Sequence, residues 1–433
     1  MMLKDKMLAL MDDINHAVAE RGELIEAIAI ALLTRKNLFI LGDPGQAKSY
    51  VINLFRARIT GAVQFERLLS KQTDEDQIFG RIDLSSLIPG SVPASVLERD
   101  ETYIKLRKAL ECARQNFEQH PETPGGLELL NDVASQVSGY RKALSELTSN
   151  EPEVMTTSKI PEAHICFLDE IFKCNDGVLN SLLTALNERK YTNEGKTYPI
   201  PTISFFSASN EIPNFNDPAE KILAALYDRL ELKVVTENVE SRTERLAVLK
   251  NKQAGCIGQI GATITLSELY AMQDEVRTIT VPDAVNELVD DILCELRKKN
   301  IKISDRKYFG YYPIAQAKAW LSGRTEVTAA DLSALRFYLW RLPEDRAVIG
   351  PILERMCNDP LKEKLSDIRA MAADALEDFN AAKDQSGSKA LIKFRAEYLR
   401  LYQMFCGLQT KAQNDAERTG LADLLSDLEK NNK

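Results

Sequence analysis

Apolar positions recur at helical spacing from residue 7 to residue 36, ending in AIAIALLTRK, and predict helix. The pattern then changes. NLFIL at 37–41 is a short continuous apolar run that stops at Gly42, as expected of a strand buried on both faces of a parallel sheet. Helical spacing returns in YVINLFRARI after Ser49. HICFL at 164–168 and TISFFSAS at 202–209 are further buried-strand runs, and ELKVV at 231–235 is strand-like. Between them the pattern predicts a helix over 178–189, with Val178, Leu179, Leu182, Leu183 and Leu186 on one face, and another over 219–230. Strands alternating with helices imply an α/β domain built on a parallel sheet.

From about residue 264 the pattern is helical only, which predicts a second, all-α domain of roughly 90 residues. One helix start is marked by Thr328 as cap and Asp331 in the first turn. Residues 98–148 read as two helices broken by PETPGG at 121–126, the second with a seam at Leu130, Val133, Val137, Tyr140, Leu144 and Leu147. The tail, 360–433, carries a similar seam at Leu391, Phe394, Tyr398, Leu401, Phe405 and Leu408. Each is expected to be a helical hairpin packing its own stripe, with a partner-binding helix as the alternative. There is no repeat of 20–50 residues and no low-complexity tract.

A length of 433 residues fits two to three domains, and a net charge of −9 repels nucleic-acid phosphate on average. The seven cysteines form no C-x-x-C pair and the histidines number three, which argues against a zinc centre or a disulfide framework. No apolar run approaches the ~20 residues needed to span a bilayer. The opening MMLKDKMLALMDD turns acidic too soon for a signal peptide. A soluble, cytoplasmic protein is expected.

The candidate chemistry sits at the strand ends. Gly42-Asp43-Pro44-Gly45-Gln46-Ala47-Lys48-Ser49 follows the phosphate-binding pattern G-x-x-x-x-G-K-[ST], with Ala47 where a second glycine is usual. Such a loop converges backbone N–H groups on a phosphate, and the helix behind it points its positive end there. Lys48 would pair with the β- and γ-phosphates and the Ser49 hydroxyl with Mg²⁺. Alanine is tolerable at 47 if φ there is negative. Asp169 and Glu170 end an apolar strand, where a parallel sheet places its ligand: Asp169 to hold Mg²⁺ through water, Glu170 to polarise the attacking water. Asn210 ends the next strand and can hold that water or sense the γ-phosphate. Arg229 in LYDRL and Arg306 in SDRKYF are the remaining sources of positive charge.

Taken in order, GDPGQAKS, HICFLDEIFK, LNSLLTALNERKYT, SFFSASNEIP, LYDRL, SDRKYF and SGRTEVTAADL resemble the MoxR branch of AAA+ ATPases, most closely its RavA-like members, over about residues 20 to 345. The resemblance implies a parallel-sheet P-loop AAA+ ATPase domain over 1–255, with a helical insertion at about 90–158. It further implies an all-α lid over 256–350, followed by a helical C-terminal region over 351–433. It makes Lys48 and Ser49 the Walker A residues, Asp169 and Glu170 the Walker B pair and Asn210 sensor 1. Arg229 becomes an arginine finger acting in trans, and Arg306 a second sensor reaching from the lid. ATP and Mg²⁺ are the implied cofactors. Family members generally form rings, commonly hexamers, and act on protein clients, often with a von Willebrand factor A-domain partner. The span between Gly80 and Pro161 is longer than is usual in the family, and beyond about residue 350 the resemblance fades.

The expected activity is therefore ATP hydrolysis coupled to remodelling a protein partner. Two other readings stand beside it: a nucleic-acid motor or loader, for which RKKNIK at 297–302 is the basic feature, and a scaffold that binds ATP to assemble but hydrolyses little.

Overall fold

The computed structural model describes residues 2–83, 91–120, 124–147, 154–193, 196–215, 217, 220–253, 261–358 and 360–409. The chain divides into two compact units, Met1–Gln273 and Asp274–Lys433.

The first unit is built on a five-stranded, wholly parallel sheet. Its strands are β1 (Leu38–Leu41), β2 (Gln64–Leu68), β3 (Ile165–Asp169), β4 (Ser204–Ser209) and β5 (Leu232–Val235), in the spatial order β5–β1–β4–β3–β2. The apolar runs of β1, β3 and β4 are the three interior strands, so every one of their faces must be covered. Helices α1 (Leu3–Ala17), α2 (Gly22–Thr34) and α3 (Lys48–Arg58) come from the N-terminal stretch. The α2 helix lies over one face: Ser204 Oγ donates to Ala31 O at 2.9 Å. On the other face Phe39, Cys166, Leu168 and Phe205 pack against Val178, Leu179, Leu182 and Leu186 of a helix spanning Asp176–Glu188. Burial pushes the thiols of Cys166 and Cys174 up to about 12, and the cysteines among the described residues are free.

The first unit adds three features that the pattern does not give. The run 7–36 is two helices, because the backbone turns left-handed at Glu20 (φ 51°) between them. The edge strand β2 escaped the pattern, since only Phe65 within QFERL is buried. An antiparallel hairpin, Lys190–Asn193 with Lys196–Pro199, was likewise not signalled.

The insertion is a helical pair, α4 (Glu101–Gln119) and α5 (Gly126–Leu147), laid against each other. Asp100 caps α4 by accepting Tyr103 N–H at 2.6 Å and receives the Tyr140 hydroxyl at 3.2 Å. The predicted seam is only half-buried from Leu130 to Leu144, and Leu147 is exposed. Ala113 is the buried residue of α4, and α5 has none.

Among its described residues the regular structure of the second unit is helical apart from an isolated bridge between Thr280 and Glu326. Residues Asp283–Lys298 bury Val285, Leu288, Val289, Ile292, Leu293 and Leu296 at three- and four-residue spacing. Asp331 caps the start of the helical turn Ala329–Phe337 by accepting both the N–H and the hydroxyl of Thr328, and it ion-pairs with Arg324. Ile264–Thr265, where only helix was expected, is a two-residue strand of the first unit paired with Ile59–Thr60.

Helical residues run from Pro360 to Gln409. The rings of Phe379 and Phe394 lie 5.1 Å apart. Fifteen steps of straight helix would separate them by ~22 Å, so the chain doubles back between them. Phe394, Tyr398, Leu401 and Phe405 pack on Ile368 and Ala372, which is the hairpin the seam predicted. Leu391 is partly exposed, at 39%, and the side chain of Leu408 and residues 410–433 lie outside the described residues.

Candidate active site

Three neighbouring strands bring the predicted residues together. Leu41 of β1 is in register with Ser209 of β4, and Asp169 of β3 with Ala208 of β4. The three chain exits therefore lie side by side at strand spacing, ~5 Å. The loop 42–49 leaves β1, Glu170 follows β3, and Asn210 follows β4 in the middle. Asn210 bridges the other two. Its Oδ1 accepts from Lys48 Nζ at 2.9 Å, and its Nδ2 donates to Glu170 Oε1 at 2.8 Å.

Lys48 is buried, and its ammonium also donates to the carbonyls of Gly42 and, at 3.3 Å, Asp43. Burial holds it below the usual lysine value, against the opposing pull of Asp169, Glu170 and Asp43. Burial raises the Asp169 carboxyl above the usual aspartate value. The Glu170 charge adds to that rise, while the Glu170 N–H bond at 3.0 Å and the Lys48 charge oppose it. Glu170 Oε2 is buried and accepts no hydrogen bond, with Lys173 Nζ 3.2 Å away as a neighbouring charge.

The loop backbone is left-handed at two positions. Gly45 has φ 88° and Ala47 φ 61°, left-handed residues of the kind from which anion-binding nests of backbone N–H groups are built, immediately ahead of α3. The negative φ that would make alanine easy at position 47 is not found. The alanine is left-handed, a conformation that costs an L residue roughly 1–2 kcal/mol and persists only where neighbours impose it. At Gly42 the constraint is space: a Cβ would come within 2.1 Å of Thr236 Oγ1. Ser49 lies on the first turn of α3 and Asp169 on the last residue of β3, both hard oxygen donors of the kind Mg²⁺ takes.

A cleft of about 700 Å³ opens beside Gly45, Gln46 and Ala47. Val18, Ala19, Tyr50, Val239, Val248 and Leu249 give it apolar walls, and His16, Arg21 and Arg245 supply polar groups at them. Its size fits a nucleoside-sized ligand. Sequence reasoning missed these residues: Tyr50 follows the motif on α3, and apart from Val239 the rest come from the end of α1, the α1–α2 break and a helix spanning Arg242–Gln253, none of which carries a phosphate motif.

Arg229 is not drawn into this cluster. The Arg229 carbonyl accepts from Asn37 Nδ2 at 3.0 Å, just ahead of β1, which places it at the opposite end of the sheet from the loop. Four strand residues separate those ends by ~13 Å. The Arg229 guanidinium donates to Ala225 O at 2.7 Å, and its Nε is buried without a partner. Arg306 is an exposed residue of the second unit, on the short helix Asp305–Phe309.

A parallel sheet of this strand order, with a phosphate loop after β1, an acidic pair after β3 and a polar residue after β4, defines a P-loop ATPase of the AAA+ class. Comparison with known proteins sharpens this. A family model described as the MoxR domain of MoxR–vWA–β-propeller ternary systems matches residues 5–98 and 142–264, and an AAA lid domain model matches 284–353. The chain belongs to the MoxR family of AAA+ ATPases. Two uncharacterized proteins of Methanocaldococcus jannaschii are related to it. One is 26% identical over 401 residues, 93% of this chain and 86% of that protein. The other is 28% identical over 334 residues, 77% of this chain and 71% of that protein. A crystal structure from Cytophaga hutchinsonii, assigned as an ATPase, shares the fold with a TM-score of 0.54 at 14% identity, covering 81% of this chain and 94% of its own. Between the two matched MoxR segments, residues 99–141 hold α4 and most of α5.

Proposed function

We propose that the chain binds MgATP at the strand-end cluster, hydrolyses it, and uses the cycle to remodel a protein partner as a member of a RavA-like ring. The observation that carries the reading is the continuous set Lys48–Asn210–Glu170 beside a left-handed phosphate loop and a nucleoside-sized cleft. Lys48 would leave the Gly42 and Asp43 carbonyls for phosphate oxygens, its charge assisting the hydrogen bonds. Glu170 would orient water and take its proton at the buried Oε2, while Asn210 fixes the carboxylate and reads the terminal phosphate. Bound Mg²⁺, held by Ser49 and through water by Asp169, would neutralise charge developing on the phosphates. The adenine would occupy the cleft between Val18, Tyr50, Val248 and Leu249.

Arg229 cannot reach the loop of its own chain from the far end of the sheet, which supports a role on a neighbouring copy's nucleotide. Arg306 would read nucleotide from the lid. A von Willebrand factor A-domain partner is supported by the description of the matched MoxR model. A domain plan of 1–255, 256–350 and 351–433 remains our working division.

The test is steady-state hydrolysis by Glu170→Gln. Turnover is expected to fall by on the order of 10²–10⁴-fold with MgATP affinity kept. Undiminished turnover would remove Glu170 from the chemistry, and a native chain that binds ATP without turnover, with or without partners, would favour the scaffold reading.

A further inference from the structure

The break between α1 and α2 ends in Arg21, a buried arginine that no phosphate motif calls for. Its Nε donates to Gln46 O at 3.1 Å, its Nη2 to Glu237 O at 2.9 Å and its Nη1 to Glu20 O at 2.9 Å. The first of these acceptors lies inside the phosphate loop. Gln46 O belongs to the same peptide unit as the N–H of Ala47, and a trans peptide sends its C=O and N–H to opposite sides. A guanidinium that draws the oxygen outward therefore aims the Ala47 N–H into the loop.

Ala47 is also the strained residue, with φ 61°. Flipping the Gln46–Ala47 peptide would return Ala47 to negative φ and turn its N–H away from the phosphate position. Glycine at 47 would feel no such pull, because it populates either sign of φ about equally. The Gln46 side chain is fixed as well, its Oε1 accepting Thr236 Oγ1 at 2.8 Å. The adjoining Glu20 extends the brace to the cleft wall. Its carboxylate accepts the N–H groups of Glu240 and Ser241, each at 2.7 Å, ahead of the helix that carries Val248 and Leu249.

We infer that Arg21 is a positioning residue that holds the Gln46–Ala47 peptide in its phosphate-facing orientation, supplying by hydrogen bond what a glycine before Lys48 would supply by conformational freedom. This rests on the reading of 42–49 as the nucleotide site.

The experiment is a double-mutant cycle on the full chain, with MgADP affinity measured by calorimetry. Arg21→Met keeps the aliphatic reach and removes the donors, and Ala47→Gly removes the strain. In the native background Arg21→Met should weaken MgADP about tenfold. In the Ala47→Gly background the loss should be smaller by about fivefold. Arg21→Lys, which keeps one donor, should recover part of the loss, and it replaces Arg21→Met in the cycle should the methionine variant fail to fold. Equal losses in both backgrounds, or none in either, would overturn the inference. A native chain that binds no MgADP would instead remove the nucleotide reading itself.

Discussion

The strand-end cluster and the α4–α5 pair are both polar-rich parts of one unit, yet they are held in opposite ways. At the cluster, residues from strands far apart in sequence are tied by buried hydrogen bonds: Lys48 to Asn210, Asn210 to Glu170, Arg21 to Gln46 and Glu237. In the pair, a half-buried seam and the Asp100 bonds at its base hold two local helices together, with Ala113 the buried residue among those described. The first region stores strain and unpaired polar groups because a packed sheet surrounds it. The second can store neither, since little around it would impose them. Function that depends on placement belongs in the first. The pair is also where the chain parts from the matched MoxR model.

Substitutions can break or sharpen this contrast. Phe206→Ala, in the fully buried centre of β4, should cost about 3–5 kcal/mol in chemical denaturation, the range for a core cavity. Lys48→Ala should weaken MgATP on the order of 100-fold by calorimetry, and a loss under threefold would place the phosphates elsewhere. On α5, Val133→Ala should cost less than about 1 kcal/mol. A cost near that of Phe206→Ala would mean the pair is part of the core.

The smallest expected effect comes from charge. The folded state disfavours the Asp169 carboxylate, because burial raises its pKa. The resulting cost is absent below the unfolded value near pH ~4 and complete above the folded value. Asp169→Asn should therefore raise the melting temperature of the nucleotide-free chain at pH 7, a gain that fades toward pH ~4. Destabilisation at pH 7 would show that the neighbouring Lys48 charge outweighs burial. Replacing residues 101–147 with a short Gly/Ser linker should leave ATP turnover within about twofold, and a collapse of turnover would tie the pair to the chemistry.

Much of this arrangement is legible in the chain itself. Buried parallel strands announce themselves as unbroken apolar runs, so LFIL, ICFLD and SFFSAS are found within two residues of their ends, and the loop, the acidic pair and Asn210 follow from those ends. What stays hidden depends on partners distant in sequence or on backbone sign. QFERL becomes a strand because β3 pairs with it. Ala47 turns left-handed although its side chain predicts otherwise. Arg21 looks like any helix-leading arginine until the loop closes over it. The walls of the cleft are ordinary valines and leucines that acquire meaning only when α1 and the helix over Arg242–Gln253 meet beside the loop.

The most direct measurement is a structure of the full chain with Mg²⁺ and a non-hydrolysable ATP analogue. Lys48 Nζ should leave the Gly42 and Asp43 carbonyls for a phosphate oxygen, with the adenine between Tyr50 and Leu249 and a water within hydrogen-bond reach of Glu170. A nucleotide bound elsewhere, or a lysine still seated on those two carbonyls with the analogue in place, would contradict the account.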